Sequence, residues 1–257
     1  MTFPKKYCVQ RLPLLQKIPN FIHTYFSMKT LLLLLLTLPL SASDLNMLTP
    51  EEKADGWELL FNGKDLSNWR TFGTQNRPGP GWNVDQGILK KAAKVPGGNI
   101  ITKKKFKDFT LIWEWRISEN GNNGIKYLID EKRAKAPGPE FQMLDDSGHP
   151  DGKIGPKRQT ASLYDIFPPA ADKLLKPVGE WNRSRIIVQG NIVQHWLNGA
   201  PVLEYELGSP ELAAAIEKSK FKNAQGFGTK IEGPIMLTDH YDECSFRNMK
   251  IRPGLFD

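Results

Sequence analysis

The part of the chain that is densest in groups able to do chemistry runs from Glu140 to His149. Alternate positions of a strand share one face, so Glu140 and Gln142 are predicted to point to the same side. Asp145, Asp146 and His149 follow on the next loop. Carboxylates and an imidazole gathered at a strand end can transfer protons or hold a divalent metal ion. A solvated strand end with turn-forming aspartates is the alternative interpretation.

Several further residues could contact a sugar. Glu114 and Arg116 alternate on an aromatic-rich strand, where they could bind a ligand or form an ion pair within the sheet. Trp196 lies beside a hairpin turn and could stack on a sugar ring, although packing is the commoner use of tryptophan. Lys126 and Tyr127 are predicted to face opposite ways, so at most one of them serves a site on that sheet.

The remaining candidates lack a local motif. Tyr164 has no neighbours that assign it a role, whereas His240 has acidic neighbours that could orient it. His149, His195 and His240 are far apart, so any metal site would have to be assembled by the fold. The sequence contains no nucleophile elbow, zinc-protease helix motif or phosphate-binding loop. No cofactor is therefore assigned, and a divalent metal ion stays open.

The elements that position these residues are short strands separated by Gly, Pro, Asn and Asp, with a turn predicted at residues 120–124. One short helix is predicted from Pro210 to Lys218, with Ser209 as its N-cap. The pattern predicts an all-β fold of two stacked antiparallel sheets, a sandwich or jelly roll. The predicted strands are Phe109 to Ile117, Ile125 to Ile129, Glu140 to Leu144, Arg185 to Gln189, Ile192 to Leu197, Val202 to Tyr205 and Phe246 to Ile251.

A basic start, a short apolar run and small residues before Asp44 indicate a secretory signal peptide at residues 28–43. The apolar run is far shorter than the roughly 20 residues of a membrane-spanning helix. Residues 1–27 are interpreted as an extension ahead of the true initiator Met28, or as a long basic start of the signal. We therefore expect an exported protein, periplasmic or secreted, without stable membrane insertion, whose residues 44–257 form a single domain.

Charge and cysteine content limit the partners. Residues 1–43 hold five basic and no acidic residues, so their removal lowers the formal net charge from +7 to +2. So small an excess gives no reason to propose a nucleic-acid partner. Only Cys244 then remains, which excludes an internal disulfide. Export without disulfides fits a bacterial periplasm.

Short motifs that follow one another from residue 57 to residue 251 make the sequence resemble a known family. This family was long called domain of unknown function 1080 and is now described as 3-keto-disaccharide hydrolases. Each motif is weak alone, but their common order is specific. The motifs are Trp57 to Trp69, Asp108 to Leu111, Asn123 to Tyr127, Glu140 to Asp146, Ala161 to Asp165, Gly179 to Asn182, His195 to Gly199, Ser219 to Phe221 and Phe246 to Ile251.

The resemblance implies a concanavalin A-like β-sandwich that acts on glycosides oxidised to a ketone at C3. The ketone acidifies the C2 hydrogen, so a base can remove it, the C1 substituent can leave by elimination, and water can add to the enone. The reaction needs a base, stabilisation of the enolate oxygen, and an acid or metal near the leaving group. We expect His149 or Glu140 as the base and Lys126 or a divalent metal at the enolate. The supporting residues would be Asp145, Gln142, Tyr164 and His240.

Two departures from the family pattern and two alternatives accompany this interpretation. Asn123 replaces a common serine, while Thr238 and Tyr241 replace glutamine and glycine around His240.

One alternative is a non-catalytic carbohydrate-binding module, since the same fold can hold a sugar on aromatic residues. The other is a retaining glycosidase with two carboxylates about 5 Å apart. The Glu-x-Asp-x-x-Glu strand motif usual for such enzymes is absent from this sequence.

Overall fold

The structure is a computed structural model that describes residues 45–255. Three α-helices, α1 Pro50–Ala54, α2 Pro150–Ile154 and α3 Pro210–Glu217, and a 3-10 helix at Pro156–Arg158 connect thirteen strands in this range. The strands are β1 Glu58–Leu59, β2 Trp69–Thr71, β3 Trp82–Asp85, β4 Ile88–Lys91, β5 Ile100–Thr102, β6 Phe109–Ile117, β7 Asn122–Lys126, β8 Glu140–Leu144, β9 Asn182–Gln189, β10 Ile192–Leu197, β11 Ala200–Glu206, β12 Met236–Leu237 and β13 Cys244–Pro253.

The strands form two antiparallel sheets that stack on one another, which confirms the predicted concanavalin A-like sandwich. The larger sheet has the order β11-β10-β9-β6-β13-β4-β3, and β1 pairs with β13 beside this path. The smaller sheet has the order β2-β5-β12-β7-β8. Strand β8 ends this order, so the neighbouring segment at residues 161–164 can hydrogen-bond to its free edge.

The core between the sheets contains one face of β6, whose alternation predicts this burial. Trp113 of β6 meets Phe141 of β8 edge-on, with ring centroids 5.0 Å apart. Such contacts between the sheets are the main source of hydrophobic stabilisation in a sandwich. All five residues on this face of β6 are buried, and they are Phe109, Leu111, Trp113, Trp115 and Ile117.

The predicted turn at residues 120–124 is wrong in its second half. Asn122, Asn123 and Gly124 begin β7 and pair with Leu144, Met143 and Gln142 of β8. The Asn123 side chain is buried and donates to the Thr238 carbonyl at 2.8 Å. Pairing and burial therefore override the turn preference of asparagine and glycine. The chain reverses earlier, where Gly121 N–H donates to the Ser118 carbonyl.

A chain of hydrogen bonds crosses the core and fixes the edge of the smaller sheet. The Ala161 carbonyl can only accept, so His195 donates to it from Nδ1 at 3.0 Å. His195 Nε2 then accepts from the Tyr127 hydroxyl at 2.7 Å, and Tyr205 supplies the hydrogen bond to Tyr127 at 2.6 Å. His195 is fully buried. Burial lowers its pKa to about 4, although the Ala161 hydrogen bond opposes the shift.

This histidine makes stability depend on pH. Between its unfolded pKa of 6.5 and its folded pKa of about 4, the unfolded chain binds a proton that the native protein does not. The free energy of unfolding should therefore fall by about 3 kcal/mol as the pH drops through this window. A His195→Gln variant should lack this part of the decrease. Urea unfolding at pH 7 and pH 4.5 measures it, and equal decreases in the two proteins would refute the assignment.

The predicted strand from Ile125 to Ile129 is wrong after Lys126, where β7 ends. Helix α3 and its Ser209 cap are confirmed, since Leu212 N–H donates to Ser209 Oγ at 3.1 Å. The proposed extension at residues 1–27 and the signal peptide at residues 28–43 lie outside the described residues. Within residues 45–255, no helix combines the length and apolar character needed to cross a membrane.

Candidate active site

The outer face of the smaller sheet carries the candidate site, built on a cross-strand row. Lys126 of β7 lies opposite Glu140 of β8, and Met236 of β12 lies on the other side of Lys126. Tyr164 extends the row, because its N–H donates to the Glu140 carbonyl at 3.1 Å. Strand pairing thus places a base, a cation and a phenol side by side.

A second row runs alongside the first. Thr238 N–H donates to the Gly124 carbonyl at 3.0 Å, and Gly124 lies opposite Gln142. On the far side, Gln142 N–H donates to the Ser162 carbonyl. Because Gly124 has no side chain, its position in the row is a depression between Thr238 and Gln142.

Five buried oxygen atoms on this face of the sheet or at its edge have no hydrogen-bond partner. An unsatisfied buried acceptor costs about 1–3 kcal/mol, so a native protein retains several together where a ligand or water satisfies them. All five belong to residues on this face or on its edge, and a ligand rich in hydroxyl groups has the matching donors. The atoms are Asn122 Oδ1, Glu140 Oε1, Gln142 Oε1, Ser162 Oγ and Thr238 Oγ1.

The two oxygens of the Glu140 carboxylate differ in their surroundings. Oε2 lies 3.4 Å from Lys126 Nζ, with the Glu140 side chain 6% exposed and that of Lys126 16% exposed. Oε1 has no partner and lies over Gly124. A carboxylate held by a cation through one oxygen, with the other free, is oriented to accept a proton from a bound ligand.

The position of Glu140 depends on the absence of a side chain at residue 124. A Cβ added to Gly124 would lie 2.2 Å from Glu140 Oε1. Gly124→Ala should therefore displace the carboxylate and lower kcat/KM by roughly 100-fold, the cost of misplacing a catalytic group by about 1 Å. Since the backbone of Gly124 has no positive φ, the variant should still fold, as a thermal melt can show. Full activity in the folded variant would contradict the proposed position of the base.

Tyr164 is fixed by a charged cluster at the end of the first row. Its hydroxyl donates to Asp151 Oδ2, and Arg158 bridges Asp151 and Asp165 at 2.7 Å each. Burial, followed by the hydrogen bond to Asp151, raises the pKa of Tyr164. The phenol therefore remains protonated and committed to Asp151, and its ring serves as a wall of the site.

Lys220 reaches the same wall from the segment after α3. Its backbone N–H donates to Asp165 Oδ2 at 2.8 Å. Its ammonium lies 3.9 Å from the centroid of the Tyr164 ring. Although Lys220 is exposed to solvent, partial burial of its ammonium lowers its pKa, Glu140 opposes this shift, and Lys126 adds to it. Lys220 thus belongs to the electrostatic environment of the Glu140–Lys126 pair.

His240 lies on a loop that is anchored by a buried ion pair. Asp239 Oδ1 lies 3.0 Å from Lys91 Nζ, and these side chains are 4% and 0% exposed. Asp239 Oδ2 also accepts from the N–H groups of Gly97 and Gly98. Although His240 reaches solvent, burial of its ring lowers its pKa. The imidazole is therefore neutral at neutral pH.

Asp145 and His149 of the predicted set are held by local hydrogen bonds. Asp145 accepts from the N–H groups of Asn120, Ser147 and Gly148. Burial alone would raise the pKa of Asp145, but these hydrogen bonds lower it. His149 Nδ1 accepts from Asp151 N–H at 3.0 Å and caps α2. Both residues therefore shape the loop beside the site. Of the two residues predicted as the base, His149 and Glu140, the structure leaves Glu140 as the stronger candidate.

Three predicted sugar contacts lie on the outer face of the other sheet. Glu114 pairs with Arg247 at 2.7 Å, and the Arg116 guanidinium lies 5.0 Å from the Trp181 ring. Trp196 stacks beneath Arg185 on the same sheet, with 5.1 Å between guanidinium carbon and ring centroid. Alternation along β6 and β10 turns these side chains away from the core, so the structure does not bring them to Glu140.

Four residues of the site were missed by the sequence analysis, namely Asn122, Ser162, Thr238 and Lys220. The first was assigned to a turn, and the other three were noticed only within family motifs or as a departure from them. Alternation gives a usable signal for Thr238, which lies two residues after Met236 and therefore on the same face. Asn122 and Ser162 are placed at the site by strand pairing, and Lys220 is placed there by the loop after α3. Neither the pairing nor the path of this loop can be read from a single sequence.

The residues of the site do not form a metal-binding set. Within residues 45–255, no group of three or more His, Cys, Asp or Glu side chains is arranged to hold a metal ion. Glu140, the carboxylate on the face, is already paired with Lys126. A separate cleft of about 590 Å³, lined by residues such as Lys64, Arg77 and Lys103, contains none of the site residues.

Comparisons with known proteins agree on one family. A family model described as the 3-keto-alpha-glucoside-1,2-lyase-like domain matches residues 56–252. A protein of Bacteroides thetaiotaomicron named 3-keto-disaccharide hydrolase is 35% identical, with 83% of each chain covered. A solved structure from Parabacteroides distasonis, described as a candidate glycosyl hydrolase, has a TM-score of 0.74 at 32% identity, covering 82% of this chain and 99% of the other. Another from the same organism, with a TM-score of 0.60 at 24% identity and 77% and 99% coverage, supports the fold alone.

The family match and the Bacteroides relative identify the chain as an enzyme, as the sequence predicts. The chain belongs to the family of 3-keto-alpha-glucoside-1,2-lyase-like domains. The resemblance to 3-keto-disaccharide hydrolases is confirmed by this match and by the Bacteroides relative.

Proposed function

We propose that this chain is an exported enzyme that cleaves the glycosidic bond of 3-keto-glycosides by C2 deprotonation, elimination and hydration. The family and the name of the Bacteroides relative support the substrate class. One structural observation carries the proposal: the buried Glu140 has a partnerless oxygen over Gly124 and a lysine at its other oxygen. The apolar run and small residues at 28–43 support export.

In the first step, Glu140 Oε1 accepts the proton from C2 of the ketosugar. The negative charge that develops on the C3 oxygen is stabilised by the Lys126 ammonium, which lies beside the carboxylate in the same row. Electrons then flow into the C1–C2 bond as the glycosidic oxygen departs from C1. The products of this step are the free alcohol, once its oxygen is protonated, and an enone.

In the second step, water adds at C1 of the enone, and Glu140, whose acquired proton exchanges with solvent, protonates C2. The same carboxylate therefore serves in both directions, as microscopic reversibility requires. The net change is the addition of one water molecule across the glycosidic bond. Lys126 again stabilises the enolate that forms between the addition of water and the protonation of C2.

The partnerless oxygens provide a means to hold the sugar ring over the base. The free oxygen atoms of Gln142, Ser162 and Thr238 belong to the row that contains Gly124, and each can accept a hydrogen bond from a sugar hydroxyl. A bound sugar would thus pair acceptors that are otherwise buried and unsatisfied. Orientation of this kind can lower a barrier by several kcal/mol when it places the C2 hydrogen against the base.

The requirement for a ketone tests this proposal. Purified protein starting at Asp44 should cleave 3-keto-lactose and 3-keto-trehalose but not lactose or trehalose, since only the ketone makes the C2 hydrogen acidic. Product formation is followed by chromatography. If the unoxidised disaccharides are cleaved equally well, the reaction is ordinary glycoside hydrolysis. If no disaccharide is cleaved while calorimetry shows binding, the carbohydrate-binding alternative is correct.

A further inference from the structure

The proposed reaction needs an acid for the departing glycosidic oxygen, and Lys126 is not free to supply it. Lys126 lies 3.4 Å from Glu140 and stabilises the charge on that carboxylate. Loss of its proton would remove the cation at the moment when the enolate needs it. Tyr164 is no better placed, because its hydroxyl already donates to Asp151.

The two histidines near the site do not fit the role either. The lowered pKa of His240 leaves its imidazole neutral at neutral pH, without the extra proton of a cationic acid. His149 accepts the Asp151 N–H with Nδ1 and is held at the start of α2. Among the site residues within 45–255, Lys220 is the cationic donor that has no assigned role.

The backbone of Lys220 is held firmly while its side chain is free to donate. Its N–H is bonded to Asp165, and the next residue, Phe221, donates its N–H to Ser219 Oγ at 3.0 Å. The ammonium rests between the rings of Tyr164 and Phe221, 3.9 and 5.1 Å from their centroids. Across residues 45–255, no carboxylate lies within ion-pair distance of it. Aromatic faces hold an ammonium through its charge and leave its N–H groups available.

Resting on the function proposed above, we propose that Lys220 is the general acid that protonates the leaving glycosidic oxygen. As the C1–O bond breaks, the oxygen takes a proton from the Lys220 ammonium, which becomes a neutral amine, and the alcohol departs. During hydration, the amine takes a proton from the water whose oxygen bonds to C1. Glu140 gives a solvent-exchanged proton to C2, so both residues end in their starting protonation states.

This role agrees with the environment of the lysine. Tyr164 follows Glu140 directly in the cross-strand row, so a cation on the Tyr164 ring lies at the edge of the site nearest the base. The hydrogen is removed from C2 and the oxygen leaves from C1, so the two reacting atoms are bonded to adjacent carbons. Base and acid must therefore both lie within reach of neighbouring atoms of one ligand. The lowered pKa of Lys220 also makes its ammonium a stronger acid than an ordinary lysine.

Leaving-group dependence tests the assignment in Lys220→Met. With methyl 3-keto-glucoside, whose alkoxide leaves poorly, kcat/KM should fall by about 100-fold or more, the usual contribution of a general acid. With 4-nitrophenyl 3-keto-glucoside, whose phenolate leaves without help, the decrease should stay below about tenfold. In deuterated water, unreacted methyl glycoside recovered from the variant should carry deuterium at C2, because the enolate forms but the alcohol does not leave.

Lys222→Met, an exposed lysine two residues away, is the matched control and should retain wild-type rates on both substrates. Equal losses on the two glycosides in Lys220→Met, without deuterium in recovered substrate, would overturn the assignment and leave Lys220 with a structural role. Wild-type protein that cleaves neither glycoside and exchanges no C2 hydrogen would instead refute the underlying function. The activity of the wild-type protein therefore distinguishes failure of the Lys220 assignment from failure of the proposed function.

Discussion

Replacing Glu140 by glutamine is expected to lower kcat/KM on 3-keto-lactose by about 1,000-fold, within the range that a general base contributes. The amide has nearly the shape of the carboxylate but cannot accept the C2 proton. Because wild-type Glu140 is buried beside Lys126, the variant also removes the partner of a cation that is 16% exposed. The lysine reaches enough solvent for the fold to survive, which circular dichroism can check.

Glu114→Gln is the matched control for this prediction. Glu114 is also paired with a cation on the outer face of a sheet, but its sheet is the other one. Its substitution should leave kcat/KM within about twofold of wild type, since surface ion pairs contribute little even to stability. A large loss of kcat/KM in Glu114→Gln, together with an active Glu140→Gln, would show that the active site lies on the larger sheet and not on the smaller one.

Removing the ammonium of Lys91 is expected to have the largest effect on stability. Lys91→Met should lower the free energy of unfolding by about 3–5 kcal/mol, because it leaves the carboxylate of Asp239 buried without its cation. Lys91 is fully buried and also donates to the Ala92 and Val95 carbonyls at 2.8 and 2.9 Å. Urea unfolding monitored by tryptophan fluorescence measures the change.

The adjacent residue provides the control. Lys90 pairs with Asp85 at 2.6 Å, but the two side chains are 32% and 57% exposed. Lys90→Met should therefore cost less than about 1 kcal/mol. Similar losses of stability in Lys91→Met and Lys90→Met would show that burial does not determine how much the Lys91–Asp239 pair contributes to stability. Because Asp239 precedes His240, the Lys91 variant should also reduce activity through the loop that carries this histidine.

Strand alternation was sufficient to predict the centre of the candidate site. It placed Glu140 and Gln142 on one face and separated Lys126 from Tyr127, and the structure confirms both relations. Such predictions succeed because the direction of a side chain in a strand depends on local backbone geometry alone. The strands β6, β8 and β10 were predicted with the observed bounds for the same reason.

The parts of the site that could not be predicted from the sequence also have a physical explanation. Glu114 and Arg116 obey the same alternation as Glu140 and Gln142, and nothing local shows that their strand belongs to the other sheet. Lys220 is separated by 80 positions from Glu140, and it reaches the site through its bond to Asp165 and its contact with Tyr164. His195 was considered only as a possible metal ligand and as the start of a family motif, although its bond to Ala161 fixes the edge segment that carries Ser162 and Tyr164. Contacts of this kind depend on tertiary packing.

The central claim is that Glu140 removes the C2 hydrogen of a 3-keto-glycoside, and the fate of that hydrogen tests it most directly. Wild-type protein is incubated with 3-keto-lactose in deuterated water, and the 3-keto-hexose released is analysed by NMR for deuterium at C2. We expect deuterium at C2 in the wild-type product and its loss, together with turnover, in Glu140→Gln. Cleavage by wild type that leaves the original hydrogen at C2 would contradict the enolate mechanism and the role of Glu140.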